Sequence, residues 1–178
     1  MGKLLIVATG RHQRPDAPSP RRGGAHGGDV GFYFRSLTGL TPVVRAARTF
    51  QVLLVDDDPA IRFMLHFTLD SHPDLRVVAE ATNGMDAVSL VERIRPDAVI
   101  VGVQMPFMDG LTAAKIIKRV SPETRIVMFS AVTAPPLVEK ALDIGADLYL
   151  SKTTPPSDLV NAVVRLCVEP SGSWSHSA

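Results

Sequence analysis

Between residues 51 and 168, short apolar runs alternate with segments whose apolar residues recur at helical spacing. The apolar runs are 51–55, 75–80, 97–102, 125–130 and 147–150. Continuous apolar runs of this length are typical of strands that are buried on both sides, as in a parallel sheet. The pattern therefore predicts an α/β fold, a doubly wound five-stranded parallel sheet with five helices on its two faces.

Cap signals mark the start of each predicted helix. Asp, Asn and Ser accept hydrogen bonds from the first backbone N–H groups of a helix, and Pro is favoured at its first position. The predicted starts are Asp58 followed by Pro59, Asn83, Asp109 with Gly110, the pair Pro135-Pro136, and Ser157. Gly145 is predicted to end the fourth helix.

Charge divides the chain into two unlike parts. Residues 1–49 contain eight Lys/Arg and two Asp/Glu, a net charge of +6, whereas residues 50–178 contain eleven and sixteen, a net charge of −5. The first part includes the Pro, Gly and Arg-rich stretch 11–31, which offers few apolar residues for a core. We expect 1–49 to be a basic, largely disordered extension, 50–168 a folded domain, and 169–178 a flexible tail.

Several functional classes find no support in the sequence. The apolar stretch Leu4–Ala8 is shorter than the roughly 7 to 15 residues of a signal peptide, and no run is long enough to span a membrane. The single cysteine, Cys167, allows no internal disulfide and indicates a cytoplasmic protein. The sequence has no Gly-x-Ser-x-Gly motif and no metal-binding pair of histidines, so we expect that it is not an enzyme.

Charged residues follow two of the predicted strands. Asp56, Asp57 and Asp58 follow the first run, and a helix cap uses only Asp58. In an open parallel sheet the site lies at the carboxyl ends of the strands, so the other two carboxylates predict either a Mg²⁺-type pocket or a solvated acidic loop. Lys152, which follows the fifth run, is either a surface charge or the group that neutralises these carboxylates.

Four segments resemble the receiver domain of two-component response regulators, in the same order and with the same spacing. They are 52-VLLVDDDPAIR-62, 96-PDAVIVGVQMPFMDG-110, 126-IVMFSA-131 and 145-GADLYLSK-152. The resemblance covers about two thirds of the chain. It implies a flavodoxin-like (βα)5 receiver fold and a role in phosphorelay signal transduction.

The resemblance also implies a role for each matching position. Asp56 and Asp57 match the acidic pair that binds Mg²⁺, and the backbone carbonyl of Gln104 matches a further metal ligand. In such receivers, a phosphoryl group passes from the histidine of a partner kinase to an aspartate at the end of the third strand.

Three more positions match groups that respond to the phosphoryl group. Ser130 matches a hydroxyl residue that hydrogen-bonds it, and Lys152 matches the lysine that pairs with it. Tyr149 matches an aromatic switch residue that turns inward on activation.

The phosphoacceptor is the position that departs from the family pattern. Counting back three residues from Met105 places it at Gly102, which has no side chain and therefore no oxygen nucleophile. Asp97 is too far away, at about 16 Å along the strand, and the resemblance places Asp109 outside the pocket. Asp56 or Asp57 could replace it only by giving up the metal. We therefore expect no phosphorylation at the usual site and only weak Mg²⁺ binding.

These observations predict a receiver-type signalling module that acts through protein contacts. The predicted partners are a histidine kinase or a downstream regulator, or a second copy bound through the last helix and the strand before it, including Tyr149 and residues 155–166. Ten residues follow the last predicted helix, so we expect no output domain. Two alternatives stay open, a degenerate receiver remnant and nucleic-acid binding by the basic extension, and the second is disfavoured because its basic residues are dispersed.

Overall fold

A computed structural model describes residues 48–168. The predictions for residues 1–47 and 169–178 lie outside the described residues. Within the described part, five strands alternate with five helices, which confirms the predicted α/β class. The strands are β1 (Phe50–Val55), β2 (Leu75–Ala81), β3 (Ala98–Gly102), β4 (Arg125–Ser130) and β5 (Leu148–Ser151). The helices are α1 (Pro59–Asp70), α2 (Gly84–Ile94), α3 (Gly110–Val120), α4 (Pro135–Asp143) and α5 (Pro156–Val168).

The strands form one parallel sheet in the order β2-β1-β3-β4-β5. The chain moves from β2 across β1 to β3, so the strand order reverses next to β1. Ligands of open α/β sheets bind at such a reversal, beyond the carboxyl ends of the strands. In this register, Val55 pairs with Val101, Gly102 with Phe129, and Ser130 with Ser151. The ends of β1, β3, β4 and β5 therefore meet at one edge of the sheet.

Apolar side chains of the strands point to both faces and form two core clusters. One cluster, which includes Phe129 and Leu159, lies under α1 and α5, and the other, which includes Met128 and Ile117, lies under α2, α3 and α4. The alternation of Met128 and Phe129 between the clusters follows from the two-residue period of a strand. No helix in residues 48–168 is both long and apolar enough to cross a lipid bilayer.

Most of the predicted caps are found in the structure. Asp58, Asn83 and Asp109 each accept a hydrogen bond from a backbone N–H in the first turn of their helix. The fourth helix begins at Pro135 as predicted. The prediction that Ser157 caps the fifth helix is wrong, because α5 already begins at Pro156. Proline has a fixed φ suited to the first helical position and no N–H that needs a partner, so it starts the helix one residue earlier.

Two glycines allow the loop after β3 to pack closely on its neighbours. A Cβ on Gly110 would lie 1.9 Å from the carbonyl oxygen of Gly102, and a Cβ on Gly84 would lie 2.7 Å from that of Met108. The backbone N–H of Gly110 also donates to the carbonyl of Val103 at 2.8 Å. Only residues without a side chain permit these approaches, so the two glycines hold the loop against α2 and α3.

Candidate functional site

The site lies where β1, β3, β4 and β5 end. Asp56 follows β1 directly, Gly102 and Ser130 are the last residues of β3 and β4, and Lys152 follows β5. The N–H of Lys152 donates to the carbonyl of Ser130 at 2.8 Å, which fixes the backbone that carries the lysine. The structure therefore brings together four of the positions that the sequence singled out.

Asp56 is the buried acid of this site. Its side chain is 2% exposed, and its Oδ1 accepts a hydrogen bond from the N–H of Asp58 at 3.0 Å. The Nζ of Lys152 lies 2.7 Å from its Oδ2. That oxygen has no directed hydrogen bond, so the contact with Lys152 is an ion pair without good hydrogen-bond alignment. A carboxylate this deeply buried is stable only beside a compensating positive charge.

The absence of a side chain at Gly102 leaves the space that the carboxylate of Asp56 occupies. A Cβ built on Gly102 would be 2.8 Å from Oδ2 of Asp56 and 3.4 Å from its Cγ. Real Cβ atoms do not make contacts below 3.0 Å. The carboxylate thus occupies space that any side chain at position 102 would need, and β3 contributes only backbone atoms at this point.

The predicted metal ligands are unequal. Asp56 is buried and paired with Lys152, whereas Asp57 and the residue Gln104 are exposed. Among residues 48–168, no group of three or more His, Cys, Asp or Glu side chains is arranged to hold a metal ion. Hard dications such as Mg²⁺ need several oxygen ligands around one point. In this structure the cation beside Asp56 is the ammonium group of Lys152.

The two remaining predicted residues meet at the backbone of Val132. The hydroxyl of Ser130, which is 4% exposed, accepts a hydrogen bond from the N–H of Val132 at 3.1 Å. The hydroxyl of Tyr149 donates to the carbonyl of Val132. Tyr149 is 7% exposed and packs in the core cluster beneath α4. Its ring is therefore turned inward in this structure.

Arg62 also supports this site, although it was not predicted from the sequence to do so. Its Nη1 donates to the carbonyl of Asp56 at 2.7 Å, and its Nε donates to Oε2 of Glu80 at 3.1 Å. Through these two hydrogen bonds, Arg62 on α1 links the end of β1 to β2. The available signal was its position one turn after the Asp58 cap, which places a long basic side chain beside the strand end.

Two carboxyls near this edge have perturbed pKa values. A hydrogen bond from His66 is the main cause that holds the pKa of Glu80 below 4.5, with Arg62 adding to it against the effect of burial. Burial acts to raise the pKa of Asp109, but hydrogen bonds from Thr112 outweigh it and the pKa is lowered. The ionised Asp109 is thereby stabilised as the cap of α3, at the end of the loop that follows Gly102.

Comparison with known sequences identifies relatives of this chain. The family described as response regulator receiver domain matches residues 52–164. The response regulator protein VraR of Staphylococcus epidermidis is 35% identical over 113 residues, which are 64% of this chain and 54% of VraR. The corresponding protein of Staphylococcus aureus is 33% identical over 115 residues. The chain spans about half the length of these curated relatives.

Solved structures show the same fold. The signal receiver domain of the response regulator NarL from Mycobacterium tuberculosis is 29% identical and superposes with a TM-score of 0.67, covering 69% of this chain and 99% of that domain. CheY from Borrelia burgdorferi, in a complex with CheX, BeF₃ and Mg²⁺, is 27% identical with a TM-score of 0.65. That comparison covers 68% of this chain and 92% of CheY.

Proposed function

The chain belongs to the response regulator receiver domain family, and we propose that it is a receiver-type signalling module that works without aspartyl phosphate at the end of β3. One observation carries the proposal: β3 ends at Gly102, and the Asp56 carboxylate lies 2.8 Å from where a Cβ would be. The position where receivers carry their acceptor thus holds no carboxylate and is covered by another acid.

The chemistry of the family explains why this matters. The reaction transfers a phosphoryl group to a carboxylate oxygen, which must attack in line with the bond to the departing histidine nitrogen. Gly102 supplies no such oxygen. Asp56 is the nearest carboxylate, but its Oδ1 is bonded to the N–H of Asp58 and its Oδ2 is paired with Lys152. Phosphorylation on Oδ2 would remove the carboxylate charge that pairs with Lys152, and phosphorylation on Oδ1 would disturb the hydrogen bond from Asp58, so we assign Asp56 a structural role.

The inward position of Tyr149 supports signalling through protein contacts. In the receivers that this chain resembles, the corresponding aromatic residue turns inward on activation. Here Tyr149 is buried and bonded to Val132 with no carboxylate at position 102. We propose that the face formed by β5 and α5 is constantly presented to a protein partner, whether a histidine kinase, a downstream regulator or a second copy of the chain. The complex of CheY with CheX gives a precedent for protein partners in this family.

The proposed role is one of binding, without catalysis, and we place it in the cytoplasm. The single cysteine of the chain, Cys167, allows no internal disulfide, as expected of a protein in a reducing compartment. The chain covers only part of its curated relatives, so an output activity is not assigned to it.

Phosphoryl transfer is tested by incubating the full chain with acetyl phosphate and Mg²⁺ and measuring the intact mass. We expect the unsubstituted chain to gain no phosphoryl group. Asp56→Asn is the matched control, because it removes the only buried carboxylate of the site. A phosphoryl gain in the unsubstituted chain that is lost in Asp56→Asn would identify Asp56 as an acceptor and refute the proposal.

The role of Tyr149 in partner binding is tested separately with Tyr149→Ala. If the inward Tyr149 fixes the β5–α5 face, this substitution should weaken self-association or partner binding through that face, measured by analytical ultracentrifugation or by retention of a candidate kinase. Phe63→Ala is the matched control, since Phe63 is a 76% exposed aromatic on α1. Equal effects of the two substitutions would contradict a specific role for Tyr149.

A further inference from the structure

We infer that the ammonium group of Lys152 takes the place of a divalent cation in this pocket, so that the chain binds Mg²⁺ there only after Lys152 is removed. The inference rests on the proposed function, because it applies to a pocket without a carboxylate at position 102. It assigns to Lys152 a role different from pairing with a phosphoryl group.

Charge balance is the first argument. The Asp56 side chain is 2% exposed and its Oδ2 has no directed hydrogen bond, so it depends on a nearby cation. Lys152 supplies that cation at 2.7 Å, and its own side chain is only 24% exposed. A single ammonium group balances a single buried carboxylate, whereas Asp57 is exposed and its charge is hydrated by solvent.

Space is the second argument. Because Gly102 lacks a side chain, Oδ2 of Asp56 can lie within 2.8 Å of the position that a Cβ at residue 102 would take. A dication bound to Asp56 would need several oxygen ligands at about 2.0 to 2.1 Å for Mg²⁺. Gly102 offers none from a side chain, and the Nζ of Lys152 already lies 2.7 Å from Oδ2 of Asp56. Mg²⁺ would therefore have to displace Lys152 while gaining fewer ligands than it prefers.

The attachment of Lys152 is the third argument. Its backbone N–H is bonded to the carbonyl of Ser130, at the end of β4. Tyr149 lies three residues earlier on β5 and is bonded to Val132 in the loop after β4. Tyr149 thus lies on β5 and Lys152 directly after it, and they bond to the loop that follows β4 and to the end of β4, respectively. Since this cation is part of the chain, compensation of the buried Asp56 charge does not depend on the supply of a metal ion.

The inference is tested by Mg²⁺ titration of the full chain and of Lys152→Met, followed by thermal unfolding and by isothermal titration calorimetry. The unsubstituted chain should show no change in Tm and no binding heat at millimolar Mg²⁺. Lys152→Met should have a lower Tm, and Mg²⁺ should raise it by several degrees, because the unpaired Asp56 would then gain a cation. Lys152→Gln, which keeps a hydrogen-bond donor toward Asp56, replaces this variant if Lys152→Met does not fold.

The double variant Asp56→Asn/Lys152→Met is the matched control. It removes both charges and should show no response to Mg²⁺, so a response there would mean binding elsewhere and would overturn the inference. Mg²⁺ binding by the unsubstituted chain as tight as by Lys152→Met would overturn it as well. That result would not affect the proposal that the chain forms no aspartyl phosphate. A phosphoryl gain in the mass measurement, in contrast, would refute the proposed function itself.

Discussion

The contact between Gly102 and Asp56 makes a quantitative prediction for Gly102→Ala. The new Cβ would lie 2.8 Å from Oδ2 of Asp56 and 3.5 Å from the carbonyl oxygen of Val55. The carboxylate cannot swing away freely, because it is buried and bonded to Asp58 and Lys152. Relief of the contact therefore requires a shift of the ion pair.

Two opposing terms set the size of the effect. Forcing an extra methyl group into a packed site costs about 1–3 kcal/mol. Replacing glycine by alanine inside a strand stabilises the folded chain by roughly 0.5–1 kcal/mol, because the unfolded chain loses backbone conformational freedom. The net expectation is a loss of about 0–2.5 kcal/mol in the free energy of unfolding. If the substitution breaks the Asp56–Lys152 pair, the loss rises toward the roughly 3–5 kcal/mol of an uncompensated buried charge.

A double-mutant cycle separates this contact from a general effect of the methyl group. Urea unfolding of the full chain, followed by far-ultraviolet circular dichroism, gives the free energies for Gly102→Ala in the natural background and in Asp56→Ala. Without the Asp56 carboxylate, Gly102→Ala should be neutral or stabilising by up to about 1 kcal/mol. If the substitution costs the same in both backgrounds, the Asp56 carboxylate does not occupy the space that a Cβ at position 102 would need.

Two further substitutions test the surroundings of the site by urea unfolding. Tyr149→Phe keeps the buried ring but removes the hydrogen bond to the carbonyl of Val132, so we expect a loss of about 0.5–1.5 kcal/mol; an unchanged stability would show that the hydroxyl does not hold the ring inward. The lowered pKa of Glu80, held mainly by His66, contributes stability that is present above the ordinary value of 4.5 and is lost as the pH falls through the folded value. The free energy of unfolding of Glu80→Gln should therefore fall less between neutral and acidic pH than that of the unsubstituted chain, and parallel pH profiles would contradict the role of His66.

Sequence patterns were sufficient to predict the order of the strands and helices, because strands buried on both sides leave continuous apolar runs such as 97–102. The caps Asp58 and Asn83 were predictable for a similar reason, since each stands directly before a helical pattern. The predicted cap at Ser157 was wrong because both Pro156 and Ser157 are favourable near a helix start, and local preference does not decide between them.

The candidate site was predictable in position but not in detail. The spacing from Met105 identified Gly102, and the structure places it at the end of β3. The sequence could not choose between Asp56 and Asp57 as the partner of Lys152, because adjacent residues at a strand end differ only in the direction of their side chains. The hydrogen bond from Tyr149 to Val132 could not be predicted either. Its acceptor is a backbone carbonyl, which every residue has, so the residue type at position 132 does not indicate it.

We propose that the end of β3 offers no side-chain group for a phosphoryl ligand. The most direct measurement is a ¹H–¹⁵N correlation spectrum of the full chain before and after addition of Mg²⁺ with BeF₃⁻, the phosphoryl mimic present in structures of related receiver domains. We expect the amide signals of Gly102, Ser130 and Lys152 not to move. Saturable shifts of these three signals would show that the site binds the mimic through another carboxylate and would contradict the proposed function.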